Sequence, residues 1–249
     1  MMKYPEPLEI SKMIDHSLLH PTMTEKDLTD GCKIALKYNT ASVCIKPYAV
    51  KMAAELLKGS DVLVCTVIGF PHGGNNVNVK LFETQSVIND GATEIDMVVN
   101  IGKVLDQEWD YVEKEIKAIN ELCLNHNAIL KVIFENDYLP EDKFKIRLCE
   151  ICSRAGVAFV KTSTGYGFVK QANGDYNYKG ATEHDLKLMR KHCIPSVQIK
   201  AAGGVRTLED VLIVREWGVT RIGATATAAI MNALTRKGDE NKEESPSGY

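Results

Sequence analysis

Eight times along the chain a short stretch rich in Val and Ile is followed by a segment of helical periodicity. The apolar stretches are 13–19, 41–46, 62–69, 94–100, 129–135, 159–164, 198–202 and 221–226. The helical segments are 24–37, 47–58, 77–90, 109–126, 141–155, 182–192, 207–217 and a last one ending near 235, with Thr24 and Thr182 placed to cap theirs. Strands apolar on both faces belong in a parallel sheet covered by helices. Eight such units in one chain of 249 residues predict an α/β fold of the (β/α)8 (TIM barrel) class. The competing open, doubly wound sheet lacks its signature, because no Gly-x-Gly-x-x-Gly follows the first strand. Residues 1–235 therefore read as one barrel domain. Residues 236–249, charged and then Ser/Pro/Gly-rich, read as a flexible C-terminal tail that ends, unexpectedly, in Tyr249.

Composition narrows the function classes. A formal net charge of −3 gives no broad basic field for nucleic acid or a membrane surface, so any anion site must be local. No apolar run is long enough to span a bilayer, and the first residues lack the apolar core of a signal peptide. Seven cysteines, most of them in apolar segments, read as reduced core thiols of a cytoplasmic protein. Cys149 and Cys152 form a C-x-x-C inside a helical pattern with no second pair, which argues against zinc.

Chemistry is concentrated where charge interrupts apolar strands. Lys161 lies within Phe-Val-Lys-Thr-Ser-Thr-Gly, and Lys200 within Gln-Ile-Lys-Ala-Ala-Gly-Gly. Asp96 lies within Glu-Ile-Asp-Met-Val-Val, and Lys131 within Leu-Lys-Val-Ile. A buried ammonium is costly unless it is paired or deprotonated. The four recur at intervals of 35, 30 and 39 residues, one per strand–helix unit, so a barrel would bring them to one mouth if each points inward. Crowding and burial favour a neutral amine, which is a nucleophile toward carbonyls and forms a Schiff base. Asp96 is the candidate proton-transfer carboxylate, with Lys200 as its partner and as the perturbing charge. The alternative, three unrelated salt-bridged residues, explains less of the pattern.

Turns after the last three strands carry Gly165-Tyr-Gly167, Gly203-Gly204 and Gly223-Ala-Thr225. Barrels often hold phosphate with backbone N–H groups at such turns, and Thr225 adds a hydroxyl. A polar stretch, 168–180, follows the sixth strand and reads as a lid or a tolerated insertion. His16 and His72 read as structural hydrogen-bonders, Cys44 as a buried thiol, and Glu135 as a partner for a pocket lysine.

These segments resemble the deoxyribose-phosphate aldolase family of class I aldolases. The likeness runs from about Ile14 to Ala233 through Ile-Asp-His-Ser-Leu-Leu (14–19), Val-Cys-Ile-Lys-Pro (43–47), Phe-Pro-His-Gly (70–73), Glu-Ile-Asp-Met-Val (94–98), Leu-Lys-Val-Ile (130–133), Phe-Val-Lys-Thr-Ser-Thr-Gly (159–165), Lys-Ala-Ala-Gly-Gly-Val-Arg-Thr (200–207) and Arg-Ile-Gly-Ala (221–224). The resemblance implies reversible cleavage of 2-deoxy-D-ribose 5-phosphate to acetaldehyde and D-glyceraldehyde 3-phosphate. It implies Lys161 as the Schiff-base lysine, Lys200 as the neighbour that lowers its proton affinity, and Asp96 in proton transfer through water. Lys131 lines the pocket in this scheme. Asp15, Ser17 and Thr164 lie near the sugar hydroxyls, and Gly165, Gly203, Gly204 and Thr225 near the phosphate. Tyr249 matches a C-terminal tyrosine that assists proton transfer in some members. No metal or cofactor is implied; the partners are small phosphorylated sugars and aldehydes and, as in many such barrels, a second copy as a homodimer. The chain departs from the family at Tyr166, where some members carry a phosphate-contacting lysine, at Thr225-Ala226, where a serine pair is common, at Ser17, where Thr is frequent, and in the length of 168–180. A related Schiff-base lyase of altered specificity is the second reading. A silent sugar-phosphate binder is the third, disfavoured because binding needs no nucleophilic lysine.

Overall fold

The computed structural model describes residues 5–243 of the chain. In chain order the strands are β1 (Ile14–Leu18), β2 (Ser42–Ile45), β3 (Leu63–Ile68), β4 (Glu94–Val98), β5 (Ile129–Ile133), β6 (Phe159–Lys161), β7 (Val169–Lys170), β8 (Tyr176–Asn177), β9 (Gln198–Ala202) and β10 (Arg221–Ala224). All but β7 and β8 close into a parallel barrel in the order β1-β10-β9-β6-β5-β4-β3-β2, the (β/α)8 architecture expected from the repeat. β7 and β8 pair antiparallel with each other outside it.

The helices are α1 (Pro7–Ser11), α2 (Glu25–Tyr38), α3 (Val50–Leu56), α4 (Val77–Asn89), α5 (Ile101–Leu105), α6 (Trp109–Asn125), α7 (Asp142–Ala155), α8 (Glu183–His192), α9 (Leu208–Glu216) and α10 (Thr227–Glu243). Their starts follow from local chemistry. The Thr24 side chain accepts from the Asp27 N–H while Asp27 reaches back to Thr24, and Thr207 with Asp210 repeats this reciprocal cap. Thr182 and Asn76 cap α8 and α4 in the simpler way. The main core fills the layer between strands and helices. Ile14, Val43, Val64, Ile95, Leu130, Val132, Val160, Ile199 and Ile222, one or more per barrel strand, are buried there against helix residues such as Leu28, Ile116, Leu148 and Val211.

Three features differ from the sequence reading. The stretch 168–180 is a β-hairpin rather than an irregular loop, with Val169 opposite Asn177 and Lys170 opposite Tyr176. Its turn uses Gly174 at φ +90°, with the Asn173 side chain accepting from the Asp175 N–H. Asn173-Gly174 is the hairpin signal, but strands of two residues are too short to show an alternating pattern. The last helix continues past 235 to Glu243, so residues 236–243 are helical instead of tail. They are rich in residues that favour helix, and Lys237 pairs with Glu209 of α9. Residues 244–249, with Tyr249, lie outside the described residues. Two short helices, α1 and α5, have no counterpart in the periodicity, since five residues are too few to establish one.

His16 sits on the outer face of the barrel wall, 3 % exposed, with Nδ1 2.8 Å from the Thr227 hydroxyl at the start of α10. It is structural, as expected. Burial pushes its pKa down from 6.5 to about 4. The unfolded chain therefore takes up a proton that the fold refuses, and stability held above pH 6.5 is lost as pH falls toward 4. Denaturant unfolding at pH 7 and pH 4 should show His16→Gln losing less stability over that interval than the parent, by about 3 kcal/mol.

Candidate active site

Side chains alternate along each barrel strand, so the residues between the core positions point into the barrel. That inner wall is divided. On β2 and β3 it is apolar, with Cys44, Cys65 and Val67 forming a small cluster with Leu19 and Phe70, separate from the main core. Around the rest it is ionic. Among the described residues it carries Asp15 from β1, Glu94 and Asp96 from β4, Lys131 from β5, Lys161 from β6, Lys200 from β9 and Arg221 from β10.

These groups form one lattice. Asp96 is its hub: Oδ2 accepts from Lys161 Nζ at 2.8 Å and from Lys200 Nζ at 2.7 Å, and Oδ1 accepts from Lys131 Nζ at 3.0 Å. The Cys65 thiol also donates to Asp96 Oδ1, at 3.2 Å. Asp15 Oδ2 accepts from Lys200 at 2.5 Å, and its Oδ1 accepts from Ser42 Oγ at 2.7 Å and Arg221 at 2.6 Å. Glu94 Oε2 takes Lys131 at 2.6 Å and Arg221 at 2.9 Å. Arg221 also stacks 5.0 Å from the centre of the Phe159 ring. Strand register explains the convergence, because Asp96 lies beside Lys131 and Lys161 beside Lys200 on neighbouring strands.

Burial and pairing oppose each other here, and pairing wins. Burial alone would raise the pKa of Asp96, yet Lys131, Lys161 and Lys200 hold it well below the usual carboxylate range. Burial likewise would raise Asp15, but Lys131, Lys200 and Arg221 hold it low. Lys200 and Lys131 are pushed down by burial and lifted above the ordinary lysine value by Asp15 and Asp96. Asp96 is thus a fixed carboxylate, and Lys131 and Lys200 are fixed ammonium groups. Cys44, Cys65 and Asp96 present ligand atoms within 4.8 Å of one another, but Lys131 Nζ, 3.1 Å from Cys65 Sγ, already fills the cation's place.

Above the lattice the strands turn outward. Thr164 follows β6, and its N–H and hydroxyl both donate to Glu135, the hydroxyl through a very short bond. Glu135 therefore binds Thr164 directly, while its charge acts on Lys161 without a direct ion pair; burial raises its pKa. The Thr164 hydroxyl in turn accepts from the Tyr166 N–H at 2.9 Å. A side chain at Gly167 would run into the Glu135 carboxyl carbon at 2.7 Å, which explains the glycine there. Gly165, Gly203 and Gly204 all have φ between +84° and +97°, backbone that a larger residue adopts only with strain. The Phe70 and Tyr166 rings meet edge to face at 5.6 Å and, with Leu19 and Val67, line a cavity of about 300 Å³.

The sequence-derived candidates fall into three groups. Asp96, Lys131, Lys161 and Lys200 come into direct contact. Ser17, Thr164, Gly165, Gly203, Gly204 and Thr225 lie at or just beyond the C-terminal ends of their strands, around the mouth. Asp15 is fully buried, and its oxygens are engaged by Ser42, Lys131, Lys200 and Arg221. Sequence reasoning missed Glu94 and Arg221. Each sits two residues before an inward position, Asp96 and Gly223, and that spacing was the available signal. It also missed Ser163, two residues after Lys161, whose buried hydroxyl has no protein partner among the described residues.

Comparison with known proteins converges on the same assignment. A model of the DeoC/LacD family aldolases matches residues 10–232. The chain is 51 % identical over 229 residues to the deoxyribose-phosphate aldolase of Rhodopirellula baltica, covering 92 % of this chain and 90 % of the relative. It is 48 % identical over 222 residues to that of Clostridium perfringens, covering 89 % and 94 %. Its fold superposes on the tetrameric deoxyribose phosphate aldolase of Aeropyrum pernix with a TM-score of 0.81, at 29 % identity and 92 % coverage of both chains. With the barrel, the lysine pair and the shared carboxylate all in place, the chain belongs to the DeoC/LacD family of aldolases.

Proposed function

We propose that the chain is a Schiff-base aldolase that reversibly cleaves 2-deoxy-D-ribose 5-phosphate to acetaldehyde and D-glyceraldehyde 3-phosphate. One observation carries the reading: two lysines on adjacent strands share one carboxylate oxygen, Lys161 at 2.8 Å and Lys200 at 2.7 Å from Asp96 Oδ2. Lys200 has a second carboxylate, Asp15, and Lys131 has Glu94; Lys161 has only the shared one among the ion pairs of the described residues. Lys161 is therefore the lysine with the fewest anionic contacts.

The chemistry follows from these charges. The Lys161 amine adds to the C1 aldehyde of the open sugar, and the carbinolamine loses water to an iminium. Removal of the C3 hydroxyl proton breaks the C2–C3 bond, and its electron pair moves into the iminium to give an enamine. D-glyceraldehyde 3-phosphate leaves. Protonation of the enamine at C2 and hydrolysis release acetaldehyde and restore the amine. Asp96, a carboxylate, takes and returns protons through water, and Lys200, an ammonium, is the donor beside it. Ser17, Thr164 and the unpartnered Ser163 hydroxyl are offered to the sugar, Gly165, Gly203, Gly204 and Thr225 to the phosphate, and Asp15 holds Lys200 in place. The all-free cysteines support a reducing, cytoplasmic setting. A homodimer is the proposed assembly, to be tested by light scattering.

Borohydride reduction in the presence of 2-deoxyribose 5-phosphate should leave the adduct on Lys161, located by peptide mass spectrometry. An adduct on Lys200 would reverse the two lysine roles. Lys161→Ala should retain substrate binding and lose turnover. Asp96→Asn leaves buried ammonium groups without their shared anion, so it should abolish turnover and lower unfolding free energy by about 3–5 kcal/mol. Removal of Tyr249 should reduce turnover more than substrate binding; equal turnover would reject a role for it.

A further inference from the structure

The lattice extends well beyond the reacting lysine, as a chain of contacts of alternating charge. Arg221 opens β10 and so lies at the closed, N-terminal end of the barrel, away from the mouth. Arg221 contacts two carboxylates, Asp15 at 2.6 Å and Glu94 at 2.9 Å. These contact Lys200 and Lys131, both of which contact Asp96, which in turn contacts Lys161. Among the described residues, the six groups beneath Lys161 cancel: three cations against three carboxylates. Within this set of seven, a protonated Lys161 is the one charge without a counterpart. Solvent scarcely enters, since the lysine, aspartate and Glu94 side chains are 0–3 % exposed and Arg221 is 12 % exposed. Charges so placed act on one another with little screening.

We propose that Arg221 and Glu94 are positioning residues that set the proton count of the Lys161–Asp96–Lys200 site from the floor of the barrel, without touching substrate. Removing the Arg221 charge leaves the lower lattice one negative charge in excess, which a proton on Lys161 would balance. Removing the Glu94 charge leaves it one positive charge in excess, which drives that proton off. The other groups facing Lys161 do not substitute for this pair. Cys44 and Cys65, from β2 and β3, are thiols, and the Cys65 thiol is engaged by Asp96 and Lys131. Glu135, beyond β5, is bonded to Thr164; its charge reaches Lys161 but is the same in every variant compared below. Asp15, Lys131 and Lys200 are neutralised within the lattice itself.

The inference rests on Lys161 as the Schiff-base lysine, and one experiment separates the two. The pH dependence of kcat/KM for 2-deoxyribose 5-phosphate cleavage, and of borohydride trapping on Lys161, is measured over about pH 5 to 9. In R221Q the acid limb of both profiles should move up by about one pH unit, and in E94Q down by about as much. R221K, which keeps the charge, should follow the parent, and E94Q/R221Q, which restores the balance, should return toward it. A residue needed only for packing would lower the plateau and leave the limb in place. Limbs that coincide in all variants, or that move the same way in R221Q and E94Q, overturn the proposal. If R221Q does not fold, E94Q decides: a limb moved down supports the proposal and any other result overturns it. Absence of any Lys161 adduct in the parent would instead overturn the Schiff-base reading, whatever the limbs do.

Discussion

Everything in the barrel interior depends on Asp96 being ionised and shared. One carboxylate with no exposed surface holds three ammonium groups, and none of the four could be buried alone: an isolated ion at that depth would cost several kcal/mol even after relaxation. Each is tolerated because the others are there. The arrangement is poor as a source of stability, since apolar side chains would fill the same space at least as well. Its value is chemical. On the adjoining strands β3 and β2 the wall is uncharged, with Cys65, Val67 and Cys44, so the charge is confined to one side of a small volume. A molecule entering from the mouth meets ammonium and carboxylate groups on one wall and thiol and apolar side chains on the other.

The division of labour among the lysines follows from how many anions each one holds. Lys131 contacts Glu94, Asp96 and Asp15; Lys200 contacts Asp15 and Asp96; Lys161 contacts Asp96 alone among the described ion pairs. Three chemically identical side chains thus become two firmly held cations and one lysine with a single carboxylate contact, by position alone. Position comes from register. A slip of one residue in β6 would turn Lys161 into the helix layer among Val132, Val160 and Ile199, where no carboxylate waits.

Much of this was legible in the sequence because it obeys short periods. The barrel announces itself through eight repeats, and Lys161, Lys200, Lys131 and Asp96 stand out because a charge in a Val/Ile strand violates the pattern around it. Glu94 and Arg221 escaped because each is the first residue of its strand, where charge ordinarily signals a solvent-exposed end. Asp15 was found, but its neighbours in sequence cannot reveal that Ser42, Lys200 and Arg221, from three other strands, surround it. Glu135's bonds to Thr164 escaped for a related reason. Its φ of +57° turns the chain just after β5 and aims its carboxylate at the backbone of Thr164, a conformation that no local propensity dictates.

The hairpin after β6 shows how an added segment can act on the site without entering the lattice. Asp137 accepts from the N–H groups of Lys179 and Gly180, fastening the hairpin's return to the segment beyond β5. Gly180 lies against Gly203, whose carbonyl accepts from the Ala181 N–H, so the same return is fastened to the turn beyond β9. Phe168 and Tyr178 stack edge to face at 5.2 Å and close the base of the hairpin, and Tyr178 packs on Gly203. β5 and β9 are the two barrel neighbours of β6. The turn that follows Lys161 is therefore braced from both sides, and Thr164 to Gly167 is held between Glu135 and the hairpin. A longer connection at this point costs little in loop closure. Because its return is tied to the segments beyond both strands that flank β6, the hairpin adds support to the turn after Lys161 in place of slack.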